Sequence, residues 1–593
     1  MNKKKLYLLI LLGLIIISFV GTLAWLTWKS KETALVLTVG DIDGIRVTLK
    51  PYVVEETLVP TLTYSSTSAI DVNIKNSGRS DGEVKLYYDI KQIDNELIVS
   101  AFKYTILRSI DGGNNYTEYK EGNFASANIE DDFIILEEII PAEKEYNYKV
   151  YTWLDGNDAT SSNIQGKTFK AELSASIYNG QAVVVDLLDG MIPVTIADDG
   201  TVTTVSSNDS SWYNYNRQQW ANAVLVTETS RSSYLNTSGV TIPEDNILAY
   251  YVWIPRYKYK IWTVGTSTKG KEQEIEIVFE DKDTEKSTGT QVEEYLTHPA
   301  FTFENKELDG IWVGKFETTG DATTPTIKPN NASLTSQNTS DQFQTSLKFA
   351  GGTLNDGTTT FSGSKIYGLD SSSDSHMMKN SEWGAVTYLS HSKYGINNEI
   401  RINNYWSNNK TLTGCGASTE NESQSTTCGI IYGSTSAYPQ STTGNISGIF
   451  DMSGGTWEIV MGVFANSSSK LWSGTSTTYN SGFKGALGTD GTSKTVGVTF
   501  PESKYYDMYK ASSGTTINKL TACNGGYCYG HGIAEVNNWY GDYTTFVSAS
   551  GPWLSRGGCY SSGISGGGFH YNNSYGSGRN LDGFRAVSIN ISE

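Results

Sequence analysis

Near its end the chain reads RGGCYSSGISGGGFHYNNSYGSGRNLDGFR, residues 556–585, and the reading of this stretch decides the last domain. Arg556 and Arg585 bracket a run of Gly, Ser, Asn and Tyr that is either filler, a catalytic loop or a binding surface. Small residues permit tight turns and close backbone approach. Tyr, Ser, Gly and Asn together make adaptable recognition surfaces, because rings supply area at low entropic cost and small polar groups supply hydrogen bonds. The two guanidiniums are expected to be structural, pinning the loop ends by charge-assisted hydrogen bonds. The candidate ligand contacts between them are Tyr560, Phe569, His570, Tyr571, Asn573, Tyr575, Arg579 and Asp582, with some of the aromatics expected in the core.

The rest of the composition agrees with a β-rich protein. The chain has 593 residues, enough for two to four domains. Hydrophobic residues make up 38% and charged residues only 18%, with 59 Gly and 37 Tyr and few long helix-forming blocks. That balance favours strands joined by long hydrogen-bonding loops. A net charge of −18 repels phosphate backbones, so nucleic acid is not an expected partner.

The first residues, MNKKKLYLLILLGLIIISFVGTLAWLTWKSK, carry lysines ahead of an uncharged run of 23 residues from Leu6 to Trp28. As a helix the run spans about 34 Å, against about 30 Å of hydrocarbon core. A cleaved export signal usually has a shorter apolar region, so residues 1–30 are read as an uncleaved single-pass anchor, with cleavage after Ala24 as the alternative. Either way the lysines stay cytoplasmic and the remainder is exported to the cell surface. In an oxidising exterior CGASTENESQSTTC and CNGGYC read as two loop-closing disulfides, Cys415–Cys428 and Cys523–Cys528, leaving Cys559 over. The scattered histidines and cysteines give no zinc set.

Between residues 31 and 182, period-two alternation recurs. Val84, Leu86, Tyr88 and Ile90 share one face, as do Phe169, Ala171, Leu173, Ala175 and Ile177. Turn signals such as DGGNN separate these runs, which predicts an antiparallel β sandwich of immunoglobulin type acting as a spacer. Its start, GTLAWLTWKSKETALVLTVGDI, loosely resembles the region after the export signal in bacterial biofilm-matrix fibre proteins. Residues 183–246 are rich in Ser, Thr, Asn and Asp but carry WYNYNRQQWANAVLV, and are expected to connect to the last domain, 247–593, and pack on it.

Four pieces in order carry a further resemblance: DGIWVGKFETTGD (309–321), MKNSEWGAVTYLSHSKYG (378–395), NISGIFDMSGGTWEIV (445–460) and the RGG…GFR stretch. Together they resemble the formylglycine-generating-enzyme family, a variant of the C-type lectin fold, over roughly the last 350 residues. The resemblance implies a mainly β chain ending in an α+β lectin-like domain. In the second piece Ser381 is the expected helix N-cap and Gly395 the expected stop. In the third, Gly455 stands where the family has Asn, and the Gly-rich turn beside Trp457 is read as structural.

The family's enzymes bind copper through a Cys-x4-Cys pair after RGG. Here only Cys559 follows, and two thiolates are needed for a cuprous ion, so no copper and no catalytic residues are expected. The resemblance also implies a structural calcium site at Asp451, Gly454, Thr456 and Glu458, where Glu458 is alternatively an arginine partner. Lectin-type folds also include the variable proteins of diversity-generating retroelements, whose tails are rewritten at adenines. An Asn codon changed at its adenines never yields Lys, Glu, Gln, Met or Trp, and none of these occurs from Cys559 to Asp582. The reading is a membrane-anchored bacterial surface protein that binds an extracellular protein or glycan. The alternatives are an oxidase of the formylglycine-generating type and a structural surface or matrix protein.

Overall fold

Val84, Leu86, Tyr88 and Ile90 alternate with polar residues, and in the computed structural model they are the buried side of the strand Gly82–Ile93. The structure describes residues 26–29, 36–38, 45–49, 55–58, 60–67, 69–76, 82–127, 133–141, 143–158, 167–178, 183–209, 211–261, 270–288, 294–417, 424–474, 480–485, 487–488, 492–511, 522–523 and 528–592. Strand accounts for 39% and helix for 12%, so the chain is mainly β. It divides into two compact units, Met1–Ala182 and Val183–Glu593.

In the first unit a five-stranded sheet runs in the order Glu55–Leu58, Leu26–Lys29, Thr168–Tyr178, Gly82–Ile93, Phe133–Ile140. A six-stranded sheet runs Val36–Thr38, Ile45–Leu49, Ala69–Asn76, Glu145–Leu154, Phe102–Ser109, Thr117–Asn123. Inward side chains of both sheets share one core. Ile70, Val72, Ile74, Tyr148 and Val150 come from the six-stranded sheet, and Val84, Leu86, Tyr88 and Phe169 from the five-stranded sheet. Phe124 is central, with its ring 4.3 Å from Phe102 and 4.9 Å from Phe133.

The expected membrane helix is shortened by this sheet. Leu26, Thr27, Trp28 and Lys29 form a strand, parallel to Thr168 and Phe169 on one side and antiparallel to Glu55–Leu58 on the other. Two strand partners satisfy backbone groups that a membrane helix would satisfy internally. Residues 1–25, which hold the rest of the apolar run, lie outside the described residues. Among the described residues no helix is long and apolar enough to cross a membrane.

The second unit is built on an eight-stranded sheet in the order Thr241–Ile242, Val202–Thr204, Ile192–Ile196, Asn222–Val226, Ile247–Pro255, Gly310–Gly314, Ala586–Asn590, Ser373–Met377. The first four come from residues 183–246, so the boundary expected at 246/247 falls inside a sheet: Asn222–Val226 pairs directly with Ile247–Pro255. Lys315 shows why the segment cannot be a mere connector. Its buried ammonium donates to Asn222 Oδ1 (3.0 Å), to the Ile446 carbonyl (2.7 Å) and to the Gly448 carbonyl (2.7 Å). With only neutral acceptors around it, burial holds its pKa well below the usual lysine value.

A second sheet carries the motif strands in the order Asp507–Lys510, Trp457–Ala465, Trp553–Gly557, Gly567–Ser574, with Asp582–Gly583 pairing alongside Trp457 and Glu458. The helix Asn380–Ser390 packs against it, and just before the helix the Met378 carbonyl accepts from Met461 N–H (2.8 Å). Its N-cap is Lys379 rather than Ser381, because the Glu382 carboxylate reaches back to accept from Lys379 N–H at 2.7 Å. Ser381 instead uses its backbone N–H on Asp507 (2.7 Å). His391 closes the helix before Gly395 is reached.

Truncating Phe124, which touches rings from both sheets, leaves a cavity the sandwich cannot collapse into. Phe124→Ala is expected to destabilise the first unit by about 3–5 kcal/mol, read from the denaturant midpoint.

Candidate functional site

Glu458 and Arg585 lie 127 positions apart, and the fold brings them into a bidentate pair with Nε–Oε2 at 3.0 Å and Nη2–Oε1 at 2.5 Å. Both are fully buried. The remaining Arg585 donors bond the carbonyls of Gly314 (2.7 Å) and Phe450 (3.0 Å), so one guanidinium ties the first, third and fourth quoted pieces together. Arg556, also fully buried, has no carboxylate among its bonds. It donates to the Gly532 and Gly568 carbonyls (3.1 and 3.4 Å) and faces the rings of Trp383 and Tyr571 (5.6 and 5.7 Å). Burial lowers its pKa to about 10.

The residues expected to hold calcium do not fit that ion. Both Glu458 oxygens are occupied by Arg585, and a guanidinium at bonding distance repels a divalent cation. Asp451, at φ 63°, accepts through Oδ1 from the Asn403 amide (2.9 Å) and the Gly414 N–H (2.8 Å). The backbone N–H of Thr456 points to Glu317, whose Oε1 accepts it at 2.8 Å. Gly454 and Gly455 belong to the turn. A Cβ on Gly455, at φ +64°, would lie 2.5 Å from Glu317 Oε1, so the Glu317 carboxyl fills the space an Asn would need there. Burial, and then the neighbouring Glu458 and Asp451, hold the Glu317 pKa well above the ordinary carboxylate value. Among the described residues no group of three or more His, Cys, Asp or Glu side chains is disposed to hold a metal ion.

The RGG loop is less of a loop than its composition suggests. Gly567–Ser574 is a strand paired on one side with Trp553–Gly557, and Tyr571 also bonds on its other side to the segment at 543–545. Four of the expected contacts are therefore buried. Phe569 packs on Trp539 and His391, with centroids 5.1 and 4.8 Å away. His570 donates its Nδ1–H to the Ser565 carbonyl (2.7 Å), and burial pushes its pKa down to about 4. Tyr571 gives its hydroxyl to Asn537 Oδ1 at 2.6 Å. Asp582 is clamped by Arg579 through two bonds of 2.8 and 2.7 Å, and that guanidinium lies 4.8 Å from the Trp457 ring. Arg579, Asp582 and Trp457 thus form a clip.

Tyr560, Asn573 and Tyr575 keep exposure, Tyr575 the most at 39%. Tyr560 stacks on a residue the sequence did not single out, Trp406, with centroids 4.4 Å apart and planes within 7°. Exposed Ile564 follows in the same loop, and exposed Tyr543 is joined to that loop through its N–H to the Ser565 carbonyl (3.0 Å). No periodicity links 406 or 543 to the loop, so only the folded chain reveals them. The two expected disulfides are present, Cys415–Cys428 and Cys523–Cys528. Cys559 is buried and free, with Ser561 Oγ 3.3 Å from its sulfur. No family model and no curated protein matches the chain.

Two outcomes are expected. Glu458→Gln leaves a buried guanidinium without its counter-charge and should cost about 3–5 kcal/mol, whereas Glu458→Gln with Arg585→Met should recover part of that loss in the same denaturation assay. Glu317 has its folded pKa raised, so its contribution to stability is fully present below the unfolded value of about 4.5 and is lost as pH rises. Glu317→Gln should flatten that decline in midpoints measured across pH 5–9.

Proposed function

We propose that this chain is an exported surface protein that binds an extracellular protein or glycan. In this reading the first unit is an immunoglobulin-type spacer behind a membrane anchor, and the second is a C-type-lectin-like domain of the formylglycine-generating-enzyme type that has become a binding module. The observation that carries it is the Trp406–Tyr560 stack. Two rings held parallel at 4.4 Å, Tyr560 on a Gly-Ser turn and Trp406 on an Asn-rich segment, present rigid apolar area with polar side chains next to them in sequence. Two disulfides suit an oxidising exterior. Binding is favoured over thiol oxidation because Cys523 and Cys528 are bonded to each other, and Cys559 has hydroxyl neighbours in place of a second thiolate.

If the tail is rewritten between variants, the interchangeable positions are the exposed ones, Tyr560, Ser561, Ile564, Tyr575 and Asn580. Phe569, His570, Tyr571 and Asp582 are held by packing and must stay. The test is binding of the full chain to glycan and extracellular-protein arrays. Trp406→Ala and Tyr560→Ala should each weaken the selected ligand at least tenfold without shifting the melting midpoint of the second unit. Unchanged binding in both would place the site elsewhere.

A further inference from the structure

The two disulfides of the second unit sit in opposite electrostatic surroundings. Cys428 Sγ faces the Ile430 carbonyl at 3.1 Å, an acceptor that opposes negative charge on sulfur. Cys523 Sγ faces His531 Nε2 instead, at 3.9 Å. Of the second pair, Cys523 is half-buried and Cys528 fully buried. We propose that Cys523–Cys528 is an exchange-active disulfide that takes two electrons from a dithiol, with the His531 Nε2–H holding Cys523 as thiolate.

The tautomer of His531 carries the argument. Asn380 Nδ2 donates to the His531 carbonyl (2.8 Å) and to the Tyr509 hydroxyl oxygen (2.7 Å). A carbonyl only accepts, so the Asn380 amide cannot be turned the other way. With that bond accepted, the Tyr509 hydroxyl gives its single proton to His531 Nδ1 at 2.9 Å. The ring proton therefore sits on Nε2, the nitrogen that faces Cys523. Ring and sulfur share one frame: the strand Asp507–Lys510 pairs with Trp457–Ala465, and Tyr509 forms a β bridge with Cys523.

Surrounding charge works in the same direction. Burial lowers the His531 pKa, opposed by Asp507 and reinforced by the cations Lys379 and Arg556. The ring stays neutral and keeps Nε2–H as a donor, and His298 beside it is held neutral by burial as well. The same two cations favour an anion on the neighbouring sulfur. Donors and cations of this kind lower a thiol pKa, and a sulfur that leaves more readily as thiolate exchanges faster.

Exchange proceeds in two steps. A thiolate of the dithiol attacks Cys523, the less buried cysteine; the bond to Cys528 breaks, and Cys528 leaves with the electron pair and takes a proton from solvent. The second sulfur of the dithiol, deprotonated, then attacks the first and closes a cyclic disulfide. Cys523 leaves as the thiolate that accepts from His531 Nε2–H. The dithiol is oxidised by two electrons and the protein disulfide is reduced by two.

The experiment equilibrates the full chain with dithiothreitol at graded ratios of reduced to oxidised form, then follows iodoacetamide alkylation of each cysteine by peptide mass spectrometry across a pH series. Cys523–Cys528 should open at a ratio at least tenfold lower than Cys415–Cys428. Alkylation of reduced Cys523 should be half-maximal at least about one pH unit below the ordinary thiol value of about 8.5. His531→Ala should move that half-maximum upward, and His531→Gln, which keeps a side-chain N–H, should restore part of the shift; a melting curve checks that each variant folds. Should His531→Ala not fold, the two measurements on the unaltered chain still decide. Equal opening of the two disulfides, a Cys523 half-maximum at or above about 8.5, or an unmoved half-maximum in folded His531→Ala would each overturn the proposal.

Discussion

A guanidinium with no exposed surface, Arg585, closes the second unit by reaching a carboxylate, Glu458, and two carbonyls that belong to three separate stretches of chain. Such a group is expensive to bury unless every donor is engaged and its charge is balanced. Both conditions hold only when the strands Gly310–Gly314, Trp457–Ala465 and Ala586–Asn590 are in register. The pair therefore specifies the fold as much as it stabilises it. It also explains the neighbourhood. Glu317, buried beside Glu458 and Asp451, is driven towards its protonated form and occupies the space above Gly455.

The resemblance to an enzyme family implied a calcium ion where this chain has an internal cation. Arginine differs from calcium in being covalently part of the strand that follows the loop, so the turn at Gly454–Gly455 is anchored by the fold itself. The other arginine works differently. Arg556 has carbonyls and aromatic faces around it, and its charge is stabilised by dipoles and ring quadrupoles. That environment leaves Asp542 close to a positive charge but without a hydrogen bond to it.

The loop between the arginines separates into layers with distinct roles. Phe569, His570 and Tyr571 are core; Arg579 and Asp582 clip Trp457; Tyr560 and its neighbours face outward on Trp406. A surface that tolerates change needs such a division, because exposed substitutions typically shift stability by less than about 0.5 kcal/mol while core substitutions cost several. The exposed positions are accordingly few, with the strand beneath them fixed.

Local pattern was enough to establish the β-rich class, the buried faces of strands such as Gly82–Ile93, and the loop-closing partners Cys415–Cys428 and Cys523–Cys528, because alternation and short-range spacing are properties of neighbouring residues. Which distant segment covers or pairs with a residue is not such a property. Tyr571 is buried because residues 543–545 bond along it, Glu458 is an ion-pair partner because Arg585 returns from 127 positions away, and Leu26–Trp28 is strand because distant segments pair with it. Covering, pairing and charge neutralisation act between segments far apart in sequence. Those contacts were decided only when the chain folded.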